Sequence, residues 1–196
     1  MKQILFVDCC IRRELSRTKK LADAALAALG TRDDIAVTEL CLMDEPLQYF
    51  SEGFFAQRER LLAAKELDHP RFRYAHQFAE ADAIVIAAPF WDLAFPALLK
   101  VYIENVSVEG ITFGCNASGC FGICRAERML FLTTRGGSYD GAPDEMGARY
   151  LEALCGFFGI PRFDCVAADG LDLGLRPVEE ILAEAKAKAA ALAATL

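Results

Sequence analysis

Two aromatic side chains and a carboxylate directly follow an apolar run, a combination that suits the binding of a flat ligand. Residues 83–88 are all apolar, and Pro89, Phe90, Trp91, Asp92 and Leu93 come next. Because proline cannot donate a hydrogen bond to a β-ladder, this pattern predicts a buried strand that stops at Pro89. Open α/β sheets bind ligands outside the carboxyl ends of their strands. We therefore expect Phe90 and Trp91 to form an apolar wall for a planar ring.

A second candidate segment is basic and follows the first predicted strand, residues 3–7. Its cations lie within nine residues, and they are Arg12, Arg13, Arg17, Lys19 and Lys20. Ser16 and Thr18 add hydroxyl groups at the start of a predicted helix over residues 17–29. Free amides at a helix N-terminus, hydroxyls and cations together suit a phosphate. Neither G-x-G-x-x-G nor the P-loop pattern G-x-x-x-x-G-K-[ST] occurs here.

A third candidate segment follows the predicted strand 128–134 and reads Thr134, Arg135, Gly136, Gly137. Glycine lets backbone amides approach a ligand closely. We expect these amides to lie at the edge of the same ring.

The elements that must position these three segments alternate along the chain. The predicted strands are residues 3–7, 35–40, 83–88, 128–134 and 163–168, and the predicted helices are residues 17–29, 51–67, 72–79, about 97–106, 143–158 and 177–196. Alternation of this kind predicts a parallel sheet with connecting helices. We expect a single α/β domain over residues 1–196, a doubly wound five-stranded sheet of order 2-1-3-4-5 with helices on both faces. In that order the three segments converge on one crevice.

Composition excludes several classes of protein. Hydrophobic residues make up 54% of the 196 residues, which predicts a folded chain, and the formal net charge of −7 argues against nucleic acid as a partner. No apolar run approaches the roughly 20 residues of a membrane span. The N-terminal residues do not show a signal-peptide pattern, so we expect a cytoplasmic protein.

The eight cysteines, at positions 9, 10, 41, 115, 120, 124, 155 and 165, are expected to be reduced thiols in such a protein. Cys155 and Cys165 lie in apolar runs and are predicted to be buried. Cys115, Cys120 and Cys124 fall in a glycine-rich segment, residues 109–125, that shows no regular periodicity. Their spacing matches no standard C-x2-C metal site. Free thiols are the simplest interpretation, with a metal site or redox-active cysteines as alternatives.

The chain resembles the FMN-dependent NADH:quinone oxidoreductases, often called azoreductases, of the flavodoxin-like superfamily. The resemblance spans nearly the whole length and rests on I-V-I-A-A-P-F-W-D-L at 84–93, L-K-V-Y-I-E-N-V at 99–106, G-I-T-F at 110–113, T-T-R-G-G at 133–137 and Y-L-E-A-L-C-G-F-F-G-I at 150–160. It implies a homodimer with FMN near the subunit interface. It also implies two-electron transfer from NADH or NADPH to quinones or azo compounds by a ping-pong mechanism, with no catalytic side chain because the flavin carries the chemistry.

The resemblance also implies residue roles. Phosphate contacts fall on Cys10, Ser16, Arg17 and Thr18, and ring contacts fall on residues 89–93 and 134–137. The chain departs from the family pattern at Cys10, where a serine is usual, and at residues 90–93, where methionine, tyrosine, asparagine and phenylalanine are usual. A thiol is a weaker donor than a hydroxyl. Asp92 accepts hydrogen bonds where an amide could also donate one.

Other functions remain open at this point. Small tyrosine phosphatases and arsenate reductases also place a cysteine after the first strand, in the pattern C-x5-R, whereas Cys10 and Arg17 are separated by six residues. A non-enzymatic electron carrier that holds FMN is a second alternative, and a thiol or metal redox protein that uses Cys115, Cys120 and Cys124 is a third.

Overall fold

Five parallel strands in the order β2-β1-β3-β6-β7 form the main sheet of the computed structural model, which describes all residues from Met1 to Leu196. The strands are β1 Lys2–Asp8, β2 Ile35–Cys41, β3 Ala83–Ala87, β4 Phe113–Asn116, β5 Gly119–Gly122, β6 Arg128–Thr134 and β7 Arg162–Ala168. Strands β4 and β5 form a separate antiparallel hairpin. The predicted doubly wound order, 2-1-3-4-5, is confirmed once the hairpin strands are left out of the numbering.

Six helices connect the strands. They are α1 Arg17–Leu29, α2 Glu52–Ala63, α3 Arg73–Glu80, α4 Ala97–Val106, α5 Gly147–Phe158 and α6 Val178–Ala193. None of them has the length and apolar character needed to cross a lipid bilayer.

The helices cover both faces of the sheet, as predicted. Strand side chains alternate between two apolar clusters, so Ile4 and Phe6 pack with α1 and α6, whereas Leu5 and Val7 pack with α3, α4 and α5. Helix α2 lies outside these layers, and its Leu61 packs in a smaller cluster with Phe72 and Ala75. Strand β3 is buried at every position, which explains its unbroken apolar sequence.

The strand register brings the ends of the three central strands to one edge. Asp8 at the end of β1 pairs with Ala87 of β3, and Ala87 pairs in turn with Leu132 of β6. The chain beyond each of these residues therefore leaves the sheet at the same place. The segments that follow β1, β3 and β6 are the three that the sequence singles out.

The interpretation of residues 109–125 as an irregular segment was wrong, because it contains the β4–β5 hairpin. Glycines 114, 119 and 122 hide the alternation that usually indicates a strand. The hairpin packs on the end of α5 through Gly122, where an added Cβ would lie 1.8 Å from the carbonyl carbon of Phe158. No residue larger than glycine fits this contact.

The predicted bounds of three helices were also wrong. Helix α6 ends at Ala193 rather than at residue 196. Helix α5 begins at Gly147 rather than at residue 143, with Met146 as its N-cap, and the Glu145 carboxylate accepts a hydrogen bond from the Ala148 amide in the first turn at 3.0 Å. Helix α2 ends at Ala63 rather than at residue 67. Lys65, two residues further on, has a positive φ of 57° that an α-helix cannot contain.

Candidate functional site

A cleft of about 230 Å³ opens at the carboxyl edge of the sheet, where the loops after β1, β3, β6 and β7 meet. Its lining residues are Arg12, Ser16, Arg17, Pro89, Phe90, Trp91, Thr134, Gly136 and Asp172. All three predicted segments therefore contribute to one cleft. Seven of the predicted residues line it, and Arg12 and Asp172 join them.

The first wall of the cleft is the N-terminus of α1. The Ser16 hydroxyl caps this helix by accepting a hydrogen bond from the Lys19 amide at 3.4 Å. The amides of Arg17 and Thr18 make no hydrogen bond within the chain. Unpaired amides and the positive end of the helix dipole are suited to an anion.

Arg17 and Asp172 form an ion pair across this end of the cleft. The Arg17 guanidinium donates two hydrogen bonds to the Asp172 carboxylate, at 2.8 and 3.2 Å. These bonds hold the pKa of Asp172 below its usual value. The Asp172 side chain remains 63% exposed, so it is free to move away from Arg17.

The second wall is the loop after β3. The Phe90 amide donates to the Thr134 carbonyl at 3.1 Å, which fixes the loop to the end of β6. Trp91 and Ala94 then exchange two backbone hydrogen bonds, and the residues between them, Asp92 and Leu93, have positive φ values of 50° and 66°. This tight turn leaves Trp91 42% exposed beside the cleft.

The floor lies between α1 and β6. The hydroxyls of Thr18 and Thr134 share a buried hydrogen bond of 2.6 Å. Beyond Thr134, the amides of Gly136 and Gly137 make no hydrogen bond within the chain and so remain available as donors. A Cβ at Gly136 would lie 2.4 Å from the Asp172 carboxylate, so glycine keeps that side of the cleft open.

Arg135 does not line the cleft, although it lies between two residues of the predicted segment. Its guanidinium is buried and faces the opposite side of the loop, 3.0 Å from Glu145 and 3.6 Å from Asp169. The Arg135 guanidinium carbon also lies 5.5 Å from the centre of the Phe90 ring. The Tyr139 ring packs on Phe90, with 4.5 Å between the ring centres. Arg135 and Tyr139 therefore support the position of Phe90 from behind.

A larger cavity of about 630 Å³ lies beyond Arg135, along β7 and between α5 and α6. Its walls carry charges of both signs, such as Arg149, Glu184 and Lys188. It shares only Arg135 with the predicted segments, so the sequence patterns do not point to it.

The other predicted residues, Cys10, Thr18, Asp92, Leu93 and Gly137, lie around the cleft without lining it. Cys10 is fully buried, and its thiol donates to the Ala87 carbonyl at 3.8 Å. Burial, together with the nearby Asp8 carboxylate, raises the pKa of Cys10 far above its usual value. A thiol in that state cannot act as a nucleophile, which argues against the phosphatase interpretation.

Arg12 and Asp172 are the lining residues that sequence reasoning missed. Arg12 belonged to the basic cluster and was not assigned a separate role. Asp172 lies in the loop after β7, 155 residues from Arg17, and no local pattern connects the two. The alternation of strands and helices predicts that β7 ends at this same edge of the sheet. That is the only signal in the sequence that points to the loop after β7.

The expectation of free thiols was wrong for two of the eight cysteines, because Cys115 and Cys120 form a disulfide across the hairpin. The other six are free. Cys155 is buried as predicted, but Cys165 is exposed, because its side chain lines the open cavity beside β7. No group of three or more histidine, cysteine or acidic side chains is placed to hold a metal ion.

Comparison with known proteins agrees with this architecture. Residues 2–193 match the family described as having a flavodoxin-like fold. The chain is 37% identical over 196 residues, 98% of each chain, to the FMN-dependent NADH:quinone oxidoreductase of Clostridium perfringens, and 37% identical over 190 residues, 93% of each chain, to FMN-dependent NADH:quinone oxidoreductase 2 of Clostridium acetobutylicum. The crystal structure of azoreductase from Bacillus anthracis superposes with a TM-score of 0.89 at 28% identity over all of both chains. The chain therefore belongs to the flavodoxin-like family and, within it, to the family of the FMN-dependent NADH:quinone oxidoreductases.

Proposed function

We propose that this protein is an FMN-dependent oxidoreductase that passes two electrons from NADH or NADPH to quinone-like or azo acceptors. The observation that carries the proposal is the cleft itself. An anion-binding helix end, an aromatic wall and unpaired glycine amides meet in a chain that is 37% identical to an enzyme named for FMN and NADH.

The donor set fits FMN at both of its ends. The amides of Arg17 and Thr18, the Ser16 hydroxyl and the Arg12 guanidinium suit the phosphate. Phe90 and Trp91 offer apolar faces to the flat ring, and the Gly136 amide, which lines the cleft, suits an acceptor atom at the ring's edge, with the unpaired Gly137 amide next to it. Bound FMN would supply the hydride and electron chemistry of the reaction.

The protein's own part in this reaction is to bind and orient. Pro89 and the hydrogen bond from Phe90 to Thr134 fix the aromatic wall, while Arg135 and Tyr139 support Phe90 from behind. Asp92 lies in the adjacent turn. Its negative charge there disfavours negative charge on a ring bound in the cleft. No side chain is required to exchange a proton in this scheme.

Donor and acceptor would take turns at the open side of the cleft, which predicts ping-pong kinetics.

We also propose that two copies of the chain pair next to this opening. Trp91, Leu93 and Met146 are 42%, 43% and 47% exposed there, and the Met146 amide donates to the Leu93 carbonyl at 2.9 Å. Exposed apolar side chains that lie together are typical of an interface between chains.

The six free thiols are consistent with a cytoplasmic location, because that compartment keeps thiols reduced.

Steady-state turnover tests the proposal. Purified protein is loaded with FMN, and NADH oxidation is followed anaerobically with a soluble quinone and separately with an azo dye. We expect turnover that depends on added FMN, with parallel lines in double-reciprocal plots. Reduction of bound FMN without turnover of any acceptor would instead indicate an electron carrier, and no reduction by NADH or NADPH would refute the proposed reaction.

A further inference from the structure

The β4–β5 hairpin carries the only disulfide of the chain, and its chemistry differs from that of every other cysteine. Cys115 and Cys120 are directly opposite each other in the hairpin register, and both are exposed. Of the six free cysteines, Cys9, Cys10 and Cys155 are buried. Burial raises the pKa of Cys9 and of Cys155 to about 12, so these thiols are unreactive at neutral pH.

The hairpin does not need the disulfide to hold its position. Its base is fixed by the Gly122 contact with Phe158 and by two backbone hydrogen bonds of 3.1 Å, from Ile123 to Thr112 and from Cys124 to Phe158. The Phe113 ring packs on Phe157 with 4.7 Å between ring centres. The disulfide bridges residues only five positions apart, and closing a loop this short constrains the unfolded chain less than closing a long one.

We propose that Cys115 and Cys120 form a reversible thiol–disulfide centre that exchanges electrons with external dithiols, either small molecules or dithiol proteins. In a chain that keeps six thiols free, one exposed disulfide that the fold does not require has the character of a redox centre and not of a structural bond. This function goes beyond the proposed oxidoreductase activity and does not depend on FMN.

Exchange proceeds through a mixed disulfide. One thiolate of the external dithiol attacks a hairpin sulfur, the S–S bond breaks, and the other hairpin sulfur leaves as a thiolate and takes up a proton. The second thiolate of the dithiol then attacks the mixed disulfide and releases the remaining hairpin sulfur, which is also protonated. The hairpin disulfide gains two electrons and two protons, and the dithiol is oxidised to a disulfide.

The cleft and the hairpin lie at opposite ends of α5. Gly147 at the start of α5 lies against the Ala94 carbonyl beside the cleft, and Phe158 at its end lies against the hairpin. At about 1.5 Å per residue, the 12 residues of α5 separate the two sites by about 18 Å. An external dithiol reaches the exposed sulfurs directly and is therefore the reductant.

A redox titration of the whole folded protein tests the proposal. Protein is equilibrated anaerobically in mixtures of oxidised and reduced dithiothreitol, quenched with N-ethylmaleimide, and mapped by peptide mass spectrometry. We expect the ratio of disulfide to dithiol at Cys115 and Cys120 to change tenfold for each tenfold change in the dithiothreitol ratio, with unchanged circular dichroism. Cys165 is a free thiol in the cavity beside β7, where desolvation raises its pKa to about 12, so its labelling should not change with the dithiothreitol ratio.

Cys124 gives a matched control in the same segment. Its thiol is half-buried and donates to the Thr112 carbonyl at 3.4 Å, and burial raises its pKa to about 12. The Cys124→Ser variant should titrate as the wild type does, whereas Cys120→Ser should leave Cys115 labelled at every ratio. A disulfide that persists in excess reduced dithiothreitol until the chain unfolds would overturn the proposal, and so would a pair that stays reduced at every ratio. The wild-type titration decides the question even if Cys120→Ser does not fold.

Discussion

At the scale of single residues, Asp172 pairs with Arg17 at the end of the cleft where we propose that the phosphate binds. Its carboxylate lies on the Arg17 guanidinium at 2.8 Å, at the end of the cleft where Arg17 and Thr18 leave their amides unpaired. A phosphate that binds these amides would meet the negative charge of Asp172. The carboxylate must therefore move away, and its exposure allows that.

Replacing Asp172 should tighten FMN binding. The Asp172→Asn variant removes the competing charge, and because exposed ion pairs contribute at most about 1 kcal/mol, we expect a decrease in Kd of up to about fivefold. Arg17→Ala should raise the Kd by about 10-fold to 100-fold, since it removes a charged donor to the phosphate. Isothermal titration of FMN measures both effects.

Asp44→Asn is the matched control for Asp172→Asn. The Asp44 carboxylate pairs with Arg13 through two hydrogen bonds of 2.6 and 3.1 Å, is similarly exposed and lies outside the cleft. Its replacement should leave the Kd unchanged. Weaker FMN binding in Asp172→Asn would show that the carboxylate contributes to the site instead of competing for it.

At the scale of secondary-structure elements, the contact between β5 and the end of α5 leaves no space at Gly122. Added Cβ atoms would lie 1.8 Å from the Phe158 carbonyl carbon and 1.9 Å from the Gly159 nitrogen. Both neighbours are backbone atoms that cannot rotate away. The hairpin can pack on α5 only if residue 122 has no side chain.

We expect Gly122→Ala to lower the free energy of unfolding by about 2 kcal/mol or more, because backbone must shift to relieve the overlap. Gly156→Ala, in α5, is the control. Nothing lies within 4 Å of its added Cβ, so better helix propensity should raise the free energy of unfolding by about 0.5–1 kcal/mol. Urea denaturation measures both, and equal stability of Gly122→Ala and wild type would contradict the described packing.

These elements also show how far sequence reasoning extends. The ends of β1, β3 and β6 were predictable, because apolar runs stop at Asp8, Pro89 and Thr133, and the parallel order follows from the alternation of elements. The hairpin was not predictable from periodicity. Glycines occupy three of its eight strand positions, and the partner of Cys115 is evident only when the register is known.

The site was also predictable in part, because the parallel sheet order follows from the alternation of strands and helices. The lining residues Ser16, Arg17, Phe90, Trp91 and Gly136 lie in the segments that follow β1, β3 and β6, so their convergence follows from the sheet order. Side-chain direction does not follow from that order. Arg135 faces Glu145, which lies in a loop of irregular conformation, and Asp172 reaches Arg17 from the loop after the edge strand β7.

At the scale of the whole molecule, the cleft exists only when four loops from different parts of the chain are assembled. A ligand that contacts them binds the folded chain and not the unfolded one, so binding should raise the thermal stability. At FMN concentrations about 100 times the Kd the stabilisation is about 2.7 kcal/mol, which for a chain of this size raises the Tm by about 5–10 °C.

Circular dichroism melting curves with and without FMN measure this shift. Riboflavin is the control ligand, because it has the same ring and lacks the phosphate. At equal concentration it should raise the Tm much less than FMN if the α1 N-terminus binds the phosphate. Equal shifts for the two ligands would argue against a phosphate site at Ser16 and Arg17.

The central claim is that the cleft beside Trp91 holds FMN, and the fluorescence of that residue tests it most directly. Trp91 is the only tryptophan of the chain and lines the cleft, so its emission reports on this site alone. FMN is titrated into flavin-free protein, with free N-acetyltryptophanamide as the correction for light absorbed by the flavin. The account predicts saturable quenching that ends at one FMN per chain, with the flavin eluting together with the protein in gel filtration. Unchanged Trp91 emission, with all FMN eluting free, would contradict it.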